Sequence, residues 1–261
     1  FWMSREPYRT ASEIIVEVLT DQGISGYGQI HGRPMDEIVR ILHQFEPLVV
    51  GMDALAHEAV WDKLFALTTS RARAALDDDP GQPHFGQGQR PQIMAAIAGI
   101  DIALWDIKGK VFDVPVYRLL GGDNPKVFAY ASGGYYEEGR SHLAVIDEMR
   151  GYVEQGFRAV KMKCGYDFRQ DLERIRGVRE AIGDADLMID ANAAYTLEEA
   201  TRAIRAFEPY GIFWFEEPLH WYDSIRSLGK LATRTCVPLA SGESELHRWA
   251  CRDLIDLGGV Q

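Results

Sequence analysis

The feature that constrains this chain most is a repeat of short apolar runs, each followed closely by a charged residue. Four such runs end at or just before Lys163, Asp190, Glu216 and Glu243, and the intervals between these residues are 27, 26 and 27 positions. An interval of this length holds one strand, one helix and two short connections. Successive units of this kind predict a parallel sheet whose strand ends meet at one face. The repeat therefore predicts an α/β fold of the (β/α) barrel, TIM-barrel-like type.

Two lysines lie inside the first of these runs, in the sequence Val160-Lys161-Met162-Lys163. Side chains two positions apart in a strand point to the same face and lie roughly 6.6 Å apart. Lys161 and Lys163 should therefore project together, with Met162 on the opposite face. Two ammonium groups on one buried face repel each other and lose their hydration. Anionic groups are expected opposite them, and the acids that end the following runs supply these groups.

The repeat is absent from residues 1–122, which predict a separate N-terminal α+β capping domain. Partial alternation of apolar and polar residues indicates a hairpin at 12–30, and helical periodicity follows at 35–45, 54–67 and 93–112. The chain begins without an initiator Met. We therefore expect that the first residues of this domain precede Phe1.

The barrel domain is predicted over 123–261, with about five β/α units. Its strands are expected at 127–131, 157–163, 187–190, 212–216 and 237–240. A closed barrel has eight strands and roughly 250 residues. We therefore expect about three further units beyond Gln261, which makes the predicted barrel C-terminally incomplete.

Charge and composition argue against several classes of partner. The 28 basic and 39 acidic residues give a net charge of −11, which argues against binding to nucleic acids or to anionic membranes. No apolar run approaches the ~18 residues of a membrane-spanning helix. Three cysteines, an odd number in a long chain, favour the reducing cytoplasm over a disulfide framework. The expected partner is a small-molecule carboxylate substrate.

The three acids at the strand ends are candidate metal ligands. Asp190, Glu216 and Glu243 lie on neighbouring predicted strands, and three carboxylates that converge on one point cannot all ionise without a cation. An all-oxygen set without a nearby His or Cys favours Mg²⁺ over Zn²⁺. The alternative is that each acid caps the helix that follows it. Three acids in step, with two lysines on the preceding strand, favour the metal site.

The lysines are candidate acid–base groups. Lys163 is nearer the C-terminal end of its strand, where barrel active sites lie, so we assign it as the base. Lys161 would tune Lys163 and bind the substrate carboxylate, because a neighbouring ammonium and a divalent cation both lower the pKa of a lysine. The alternative is that both lysines form salt bridges with buried acids.

A lysine base beside a metal-bound carboxylate predicts one reaction class, the abstraction of the proton α to that carboxylate. The product of this step is an enolate, which Mg²⁺ and an ammonium group would stabilise.

The combined motifs resemble those of the enolase superfamily. Its lysine motif and its three metal-ligand motifs are similar to residues 160–163, 189–192, 215–218 and 241–243. The join between its cap and its barrel is similar to residues 103–110 followed by 115–122. Glu-Glu-Pro together with Lys-x-Lys resembles the mandelate racemase subgroup.

The resemblance implies that Asp190, Glu216 and Glu243 bind Mg²⁺ and that Lys163 is the base. It also implies a second catalyst, a His oriented by an Asp, which we expect beyond Gln261.

Other residues are candidates for substrate contacts. Asn192 shares the predicted face of Asp190, although a turn-forming role is equally consistent with it. Glu217 is a candidate partner that strand alternation would turn away from Glu216. His220 follows the fourth barrel strand and either lines the pocket or lies on a surface loop. The resemblance also points to two cap loops, which contain the candidates Arg5, Tyr8 and His31.

The first functional hypothesis is a Mg²⁺-dependent lyase that dehydrates a sugar acid, an aldonate or aldarate, to a 2-keto-3-deoxy acid. The second is a racemase or epimerase of a 2-hydroxy acid, which shares the first half-reaction, so the visible motifs do not separate the two. The third is a catalytically inactive barrel, and the intact acids and lysines argue against it. We also expect a homo-oligomer.

Overall fold

The computed structural model describes residues 2–7, 12–68, 85 and 87–260, which form two compact units. One unit contains residues 2–7 and 127–260, and the other lies within residues 12–126. The predicted domain boundary at residue 122 stays a prediction. Among the described residues, no helix combines the length and the apolarity that crossing a bilayer requires.

Two antiparallel hairpins come first in the chain. The first pairs β1 (Trp2–Met3) with β2 (Glu6–Pro7), and the second pairs β3 (Ile14–Leu19) with β4 (Ser25–Ile30). The second hairpin belongs to the 12–126 unit, whose described helices are α1 (Met35–Val49), α2 (His57–Ala66), α3 (Arg90–Phe112) and α4 (Val116–Leu119). This composition agrees with the α+β class predicted for this part of the chain.

The second hairpin packs directly on the backbone of α3, because two glycines face that helix. A Cβ on Gly26 would lie 2.1 Å from the carbonyl oxygen of Ala103, and one on Gly28 would lie 1.9 Å from that of Gly99. Any larger residue would therefore push the hairpin away from the helix. Apolar side chains of α1, α2 and α3 close the core of this unit, and Phe45 among them is fully buried.

The other unit contains a parallel sheet in which strands and helices alternate along the chain. The strand order is β5-β6-β7-β8-β9, so each strand pairs with its neighbours in sequence. The strands are β5 (Ala131–Gly133), β6 (Ala159–Lys163), β7 (Asp186–Asp190), β8 (Ile212–Glu216) and β9 (Leu239–Ala240). The helices are α5 (His142–Glu154), α6 (Phe168–Ile182), α7 (Leu197–Phe207), α8 (Ser224–Ala232) and α9 (Arg248–Leu257). This succession confirms the predicted (β/α) class.

Strand register aligns the charged ends of the central strands. Lys163 is the Cα partner of Asp190, Asp190 is that of Glu216, and Glu216 is that of Ala240. Because the strands are parallel, their carboxyl ends lie along one edge of the sheet. The register therefore places Lys163, Asp190 and Glu216 side by side.

Local signals set the starts of the helices between these strands. Thr196 and Glu199 form a capping box at the start of α7, in which each side chain accepts a hydrogen bond from the other's backbone N–H. Asp167 begins α6 by accepting hydrogen bonds from the N–H groups of Arg169 and Gln170. These caps fix where each helix turns back from the carboxyl edge of the sheet.

The first strand of the sheet lies later than predicted. The sequence indicated 127–131, whereas β5 pairs with β6 through Ala131, Ser132 and Gly133. Val127 and Phe128 are 86% and 57% exposed, so their apolar character did not reflect burial. A strand that contains Ser and Gly has weak intrinsic preference, and its pairing partner decided where it forms.

Candidate active site

Three acidic side chains converge at the carboxyl edge of the parallel sheet. One oxygen from each of Asp190, Glu216 and Glu243 lies within 4.8 Å of the other two. Asp190 and Glu216 end β7 and β8, and Glu243 follows β9 in the loop that leads to α9. Asp190 is fully buried, whereas Glu243 lies at the exposed side of the cluster. The structure thus brings together the three acids that the sequence singled out.

Both lysines of β6 reach into this acidic cluster. The Nζ of Lys163 lies 2.5 Å from Oδ2 of Asp190. The Nζ of Lys161 lies 2.5 Å from Oε1 of Glu216 and 3.6 Å from Oδ2 of Asp190. Both lysines are buried, so water screens these ion pairs poorly. The salt bridges named above as an alternative are therefore formed, and the catalytic roles of the lysines stay predictions.

The pKa values in the cluster reflect burial together with crowded negative charge. Burial lowers the pKa of Lys161, but the hydrogen bond and charge of Glu216 and the charge of Asp190 outweigh it, so the net shift is upward. Desolvation, followed by the charge of Asp190, raises the pKa of Glu243. Burial and the charge of Glu243 raise the pKa of Glu217 to about 7. A divalent cation would relieve this crowding, because it favours the ionised form of each carboxyl group.

Glu217 departs from the strand geometry that the sequence suggested. Its φ is 39°, so the backbone has left the extended conformation one residue after Glu216, and strand alternation does not determine where its side chain points. Glu217 is 3% exposed, and its Oε2 accepts a hydrogen bond of 3.4 Å from Nε1 of Trp221. Its carboxyl group is close enough to that of Glu243 to respond to its charge. A contact between Glu217 and substrate stays a prediction.

Asn192 orients Asp190 and keeps one polar atom without a partner. Its backbone N–H donates to Oδ1 of Asp190 at 2.9 Å, and its Nδ2 donates to Oδ2 at 3.5 Å. Its φ of 41° shows the turn that the sequence suggested. Among the described residues, no donor bonds to the buried Oδ1 of Asn192. A buried acceptor without a partner is costly, so this oxygen is suited to receive a donor from a ligand.

The N-terminal hairpin contacts the loop that follows Lys163. The Oγ of Ser4 donates to the carbonyl of Cys164 at 2.5 Å, and the Nε of Arg5 donates to that of Gly165 at 3.0 Å. Cys164 is buried in the core of this unit. The hairpin thus restrains the segment immediately after the candidate base.

The remaining candidates lie outside this cluster or outside the described residues. His220 is exposed and stacks on Tyr222 with ring centroids 5.4 Å apart. His31 is exposed in the other compact unit, directly after β4. Tyr8 falls outside the described residues. Substrate contacts by Arg5, Tyr8, His31 and His220 stay predictions.

Aromatic residues around the lysines were not anticipated from the sequence. The ring of Tyr130 lies 5.3 Å from Nζ of Lys161, and the ring of Tyr135 lies 5.7 Å from Nζ of Lys163, within the range of cation–π contacts. The Nε1 of Trp214 donates to Oε2 of Glu216 at 3.0 Å. The alternation rule that placed both lysines on one face also places Trp214 beside Glu216, so this contact could have been predicted from the sequence.

A buried carboxylate also ties together the loops that carry the site. Asp171, in the first turn of α6, is fully buried and accepts a short hydrogen bond from the hydroxyl of Tyr136. It also accepts from the N–H of Gly165 at 2.8 Å and from the hydroxyl of Tyr195 at 3.4 Å. These three donors follow β5, β6 and β7, so Asp171 joins three consecutive loops at the carboxyl edge. No motif marked this residue, because two of its partners, Tyr136 and Tyr195, lie 35 and 24 positions away in the sequence.

The fold and the site define a class of protein, an α/β barrel-type chain with an acidic triad able to bind a metal ion beside two lysines. Two family models match it. One, described as the mandelate racemase / muconate lactonizing enzyme N-terminal domain, matches residues 1–121, and one described as enolase C-terminal domain-like matches residues 144–261. The chain belongs to the enolase superfamily, in its mandelate racemase group. The predicted resemblance is therefore confirmed.

Named relatives and solved structures share this organisation. The chain is 35% identical to arabinonate dehydratase of Saccharolobus solfataricus over 90% of its own length and 60% of the relative. It is 33% identical to D-galactarolactone cycloisomerase of Agrobacterium fabrum over 97% of its own length and 65% of the relative. It also resembles the crystal structure of an enolase superfamily member from Polaromonas sp. JS666, with a TM-score of 0.81 and 34% identity over 95% of this chain and 63% of that one. The chain thus spans about three fifths of the length of these proteins.

Proposed function

We propose that this chain carries the site of a Mg²⁺-dependent sugar-acid dehydratase, a lyase that begins by removing the proton α to the substrate carboxylate. The observation that carries the proposal is the aligned register of Lys163, Asp190 and Glu216, which places a lysine amine inside a cluster of three acids. The 35% sequence identity to arabinonate dehydratase supports an acid sugar as the substrate class.

The acidic cluster fits a magnesium ion. Asp190, Glu216 and Glu243 would hold it, because each offers an oxygen within 4.8 Å of the others and oxygen is the donor that Mg²⁺ prefers. Burial and the charge of Asp190 raise the pKa of Glu243, and a cation would offset both effects because it favours the ionised form. A bound Mg²⁺ would supply Lewis-acid stabilisation of the negative charge that develops on the substrate carboxylate.

The chain's own residues would perform the first half-reaction. In its neutral amine form, Lys163 takes the α-proton on Nζ, and the electrons of the broken C–H bond form the enolate. The ammonium of Lys161 holds the substrate carboxylate, since it already binds carboxylate oxygens of Glu216 and Asp190. The unpartnered Oδ1 of Asn192 accepts a hydrogen bond from a substrate hydroxyl. The β-hydroxyl would then leave as water by taking up one proton, which replaces the proton that Lys163 removed, and tautomerisation of the resulting enol would give a 2-keto-3-deoxy acid.

An isomerase is the second candidate, and the similarity to a galactarolactone cycloisomerase over 97% of this chain favours it. Such an enzyme and a racemase of 2-hydroxy acids would share the same proton abstraction with the dehydratase. They differ in the fate of the enolate, which either loses the β-substituent or is reprotonated.

The experiment is a screen of aldonates, aldarates and their lactones with the purified protein and Mg²⁺ in deuterated water. Formation of a 2-keto acid that requires Mg²⁺ supports the dehydratase. Deuterium at the α-carbon, with an isomeric product and no keto acid, would support an isomerase instead of the dehydratase. The proposal would be overturned if a folded protein that binds Mg²⁺ gave neither a product nor exchange of the α-proton with any compound in the screen. The matched control is the Lys163→Met protein, which should show neither reaction.

A further inference from the structure

Glu216 directs its two carboxylate oxygens to different partners. Oε1 accepts from Nζ of Lys161 at 2.5 Å, whereas Oε2 accepts from Nε1 of Trp214 at 3.0 Å. Trp214 and Glu216 are two positions apart on β8, so their side chains share one face. An indole N–H only donates, and its bond to Oε2, together with the bond from Lys161 to Oε1, holds the plane of the carboxylate.

Trp214 is itself held in place by contacts that return to the lysine. The ring of Tyr130 meets that of Trp214 edge to face, with centroids 5.4 Å apart and an interplanar angle of 83°. The Nζ of Lys161 lies 5.3 Å from the centroid of the same Tyr130 ring. The contacts therefore form a ring that runs from Lys161 to Glu216, Trp214 and Tyr130 and back to Lys161. Each member restrains the next, so Glu216 has little freedom to rotate about its terminal bond.

We propose that Trp214 is a positioning residue that keeps Glu216 a one-oxygen metal ligand and thereby favours Mg²⁺ over Ca²⁺. The inference rests on the metal site of the proposed function. Magnesium requires near-octahedral geometry with bonds of about 2.0–2.1 Å, whereas calcium takes 6–8 oxygens at about 2.3–2.6 Å and often both oxygens of one carboxylate. With the carboxylate held in this plane, Oε2 is turned towards the indole, whereas Oε1 is on the side of Lys161, whose Nζ also lies 3.6 Å from Oδ2 of Asp190. Glu216 then presents one oxygen to the acidic cluster, and this arrangement suits the smaller ion.

A simpler reading is that Glu216 only satisfies the indole N–H, because partly buried tryptophans commonly find an acceptor. The two readings differ in their consequences for metal choice. Loss of a merely structural bond would weaken the binding of every cation by a similar factor. Loss of the positioning bond would free Oε2 to chelate, so that Mg²⁺ binding weakens while Ca²⁺ binding does not.

The test measures the affinity of the metal-free protein for Mg²⁺ and Ca²⁺ by calorimetric titration, without substrate. We expect Trp214→Phe, which keeps an aromatic ring and removes the N–H, to weaken Mg²⁺ binding about tenfold, as loss of a partner to a metal ligand commonly does. Ca²⁺ affinity should stay equal or rise, so the preference for Mg²⁺ falls by at least that factor. Trp105→Phe, in the other compact unit, is the matched control and should keep the wild-type ratio.

A second variant separates the N–H from the bulk of the ring. Trp214→His keeps a ring N–H at this position and should retain more of the wild-type preference than Trp214→Phe. If Trp214→Phe does not fold by circular dichroism, Trp214→His decides alone, and loss of the preference in a folded Trp214→His protein overturns the inference. A wild-type protein that binds neither ion would overturn the metal site itself. A wild-type protein that binds Mg²⁺, with an unchanged ratio in Trp214→Phe, would overturn only the role of Trp214.

Discussion

The Nζ of Lys163 and Oδ2 of Asp190 lie 2.5 Å apart, and the two residues are register partners on adjacent strands. The same Asp190 oxygen lies 3.6 Å from Nζ of Lys161. One fully buried carboxylate is therefore shared by the side-chain nitrogens of two buried lysines. A slip of one residue in this register would turn every side chain of β6 to the opposite face and separate these groups.

The shared carboxylate leads to a prediction about stability. Asp190→Asn leaves two buried lysines without their common counter-charge, and breaking a buried ion pair from one side costs about 3–5 kcal/mol. We expect a loss of that size in the free energy of unfolding, measured by urea denaturation of the metal-free protein. Asp184→Asn, in the exposed loop before β7, is the control and should change stability by less than about 0.5 kcal/mol. A loss below about 1 kcal/mol in Asp190→Asn would mean that Lys161 and Lys163 do not depend on this carboxylate.

Lys163 should be required for proton abstraction. Lys163→Met removes the amine and keeps much of the length and apolar bulk of the side chain, and Asp190 retains Lys161 as a partner. We expect the rate of α-proton exchange to fall by about 10²- to 10⁴-fold, the usual contribution of a general base. The measurement is exchange of the α-proton into deuterated water, followed by NMR. The control is Lys230→Met on the exposed side of α8. Exchange at the wild-type rate in Lys163→Met would show that another group is the base.

Glu243 should oppose folding while it supports metal binding. Its pKa is raised by desolvation and by the charge of Asp190, so its ionised form destabilises the metal-free protein near pH 7. We expect Glu243→Gln to raise the urea midpoint in the presence of a chelator and to weaken Mg²⁺ binding. Glu245→Gln, in the same loop, should change neither quantity. A lower midpoint together with unchanged Mg²⁺ affinity would place Glu243 outside the metal site.

Asp171 should make stability depend on pH in the acid range. Burial raises its pKa on folding, against the effect of its hydrogen bonds. A carboxyl group whose pKa is raised on folding binds its proton more tightly in the folded protein, so this contribution to stability falls as pH rises from its unfolded pKa of about 3.9 through the folded value. The Asp171→Asn protein should lack this contribution. Urea denaturation at several pH values between 4 and 7 should therefore show a smaller loss of stability with rising pH in the variant than in the wild-type protein. Glu173→Gln, exposed on the same helix, should keep the wild-type slope.

Gly165 should be difficult to replace, because it combines a left-handed backbone with close neighbours. Its φ is 98°, and a Cβ there would lie 2.7 Å from the Cβ of Ala194. Gly183 also has a positive φ, 59°, but has no heavy atom within 4 Å of the position of a Cβ. Gly183→Ala should therefore cost about 1–3 kcal/mol from backbone strain alone, and Gly165→Ala should cost more, by about 1–3 kcal/mol from overpacking. Equal losses of stability in the two variants would contradict the close packing of this loop.

Much of the candidate site could be predicted from the sequence because its geometry is periodic. Strand alternation put Lys161 and Lys163 on one face, and the regular interval put Asp190 and Glu216 at the ends of successive strands. The same reasoning failed at Glu217, where a left-handed residue ends the alternation, and at 127–131, where exposed apolar residues resembled a strand. In both places a conformation set by tertiary contacts overrode the local pattern.

The sequence by itself determined the class of fold, the order of the β/α units and the identity of the charged residues at the strand ends. It did so because hydrophobic period and spacing are properties of short segments. Only the tertiary structure decided which oxygen of Glu216 meets Lys161 and which meets Trp214, and that Asp171 joins three loops. The bond from Lys161 to Glu216 and the bonds from Tyr136 and Tyr195 to Asp171 join groups on different strands and loops, whose relative positions depend on how the strands and helices pack.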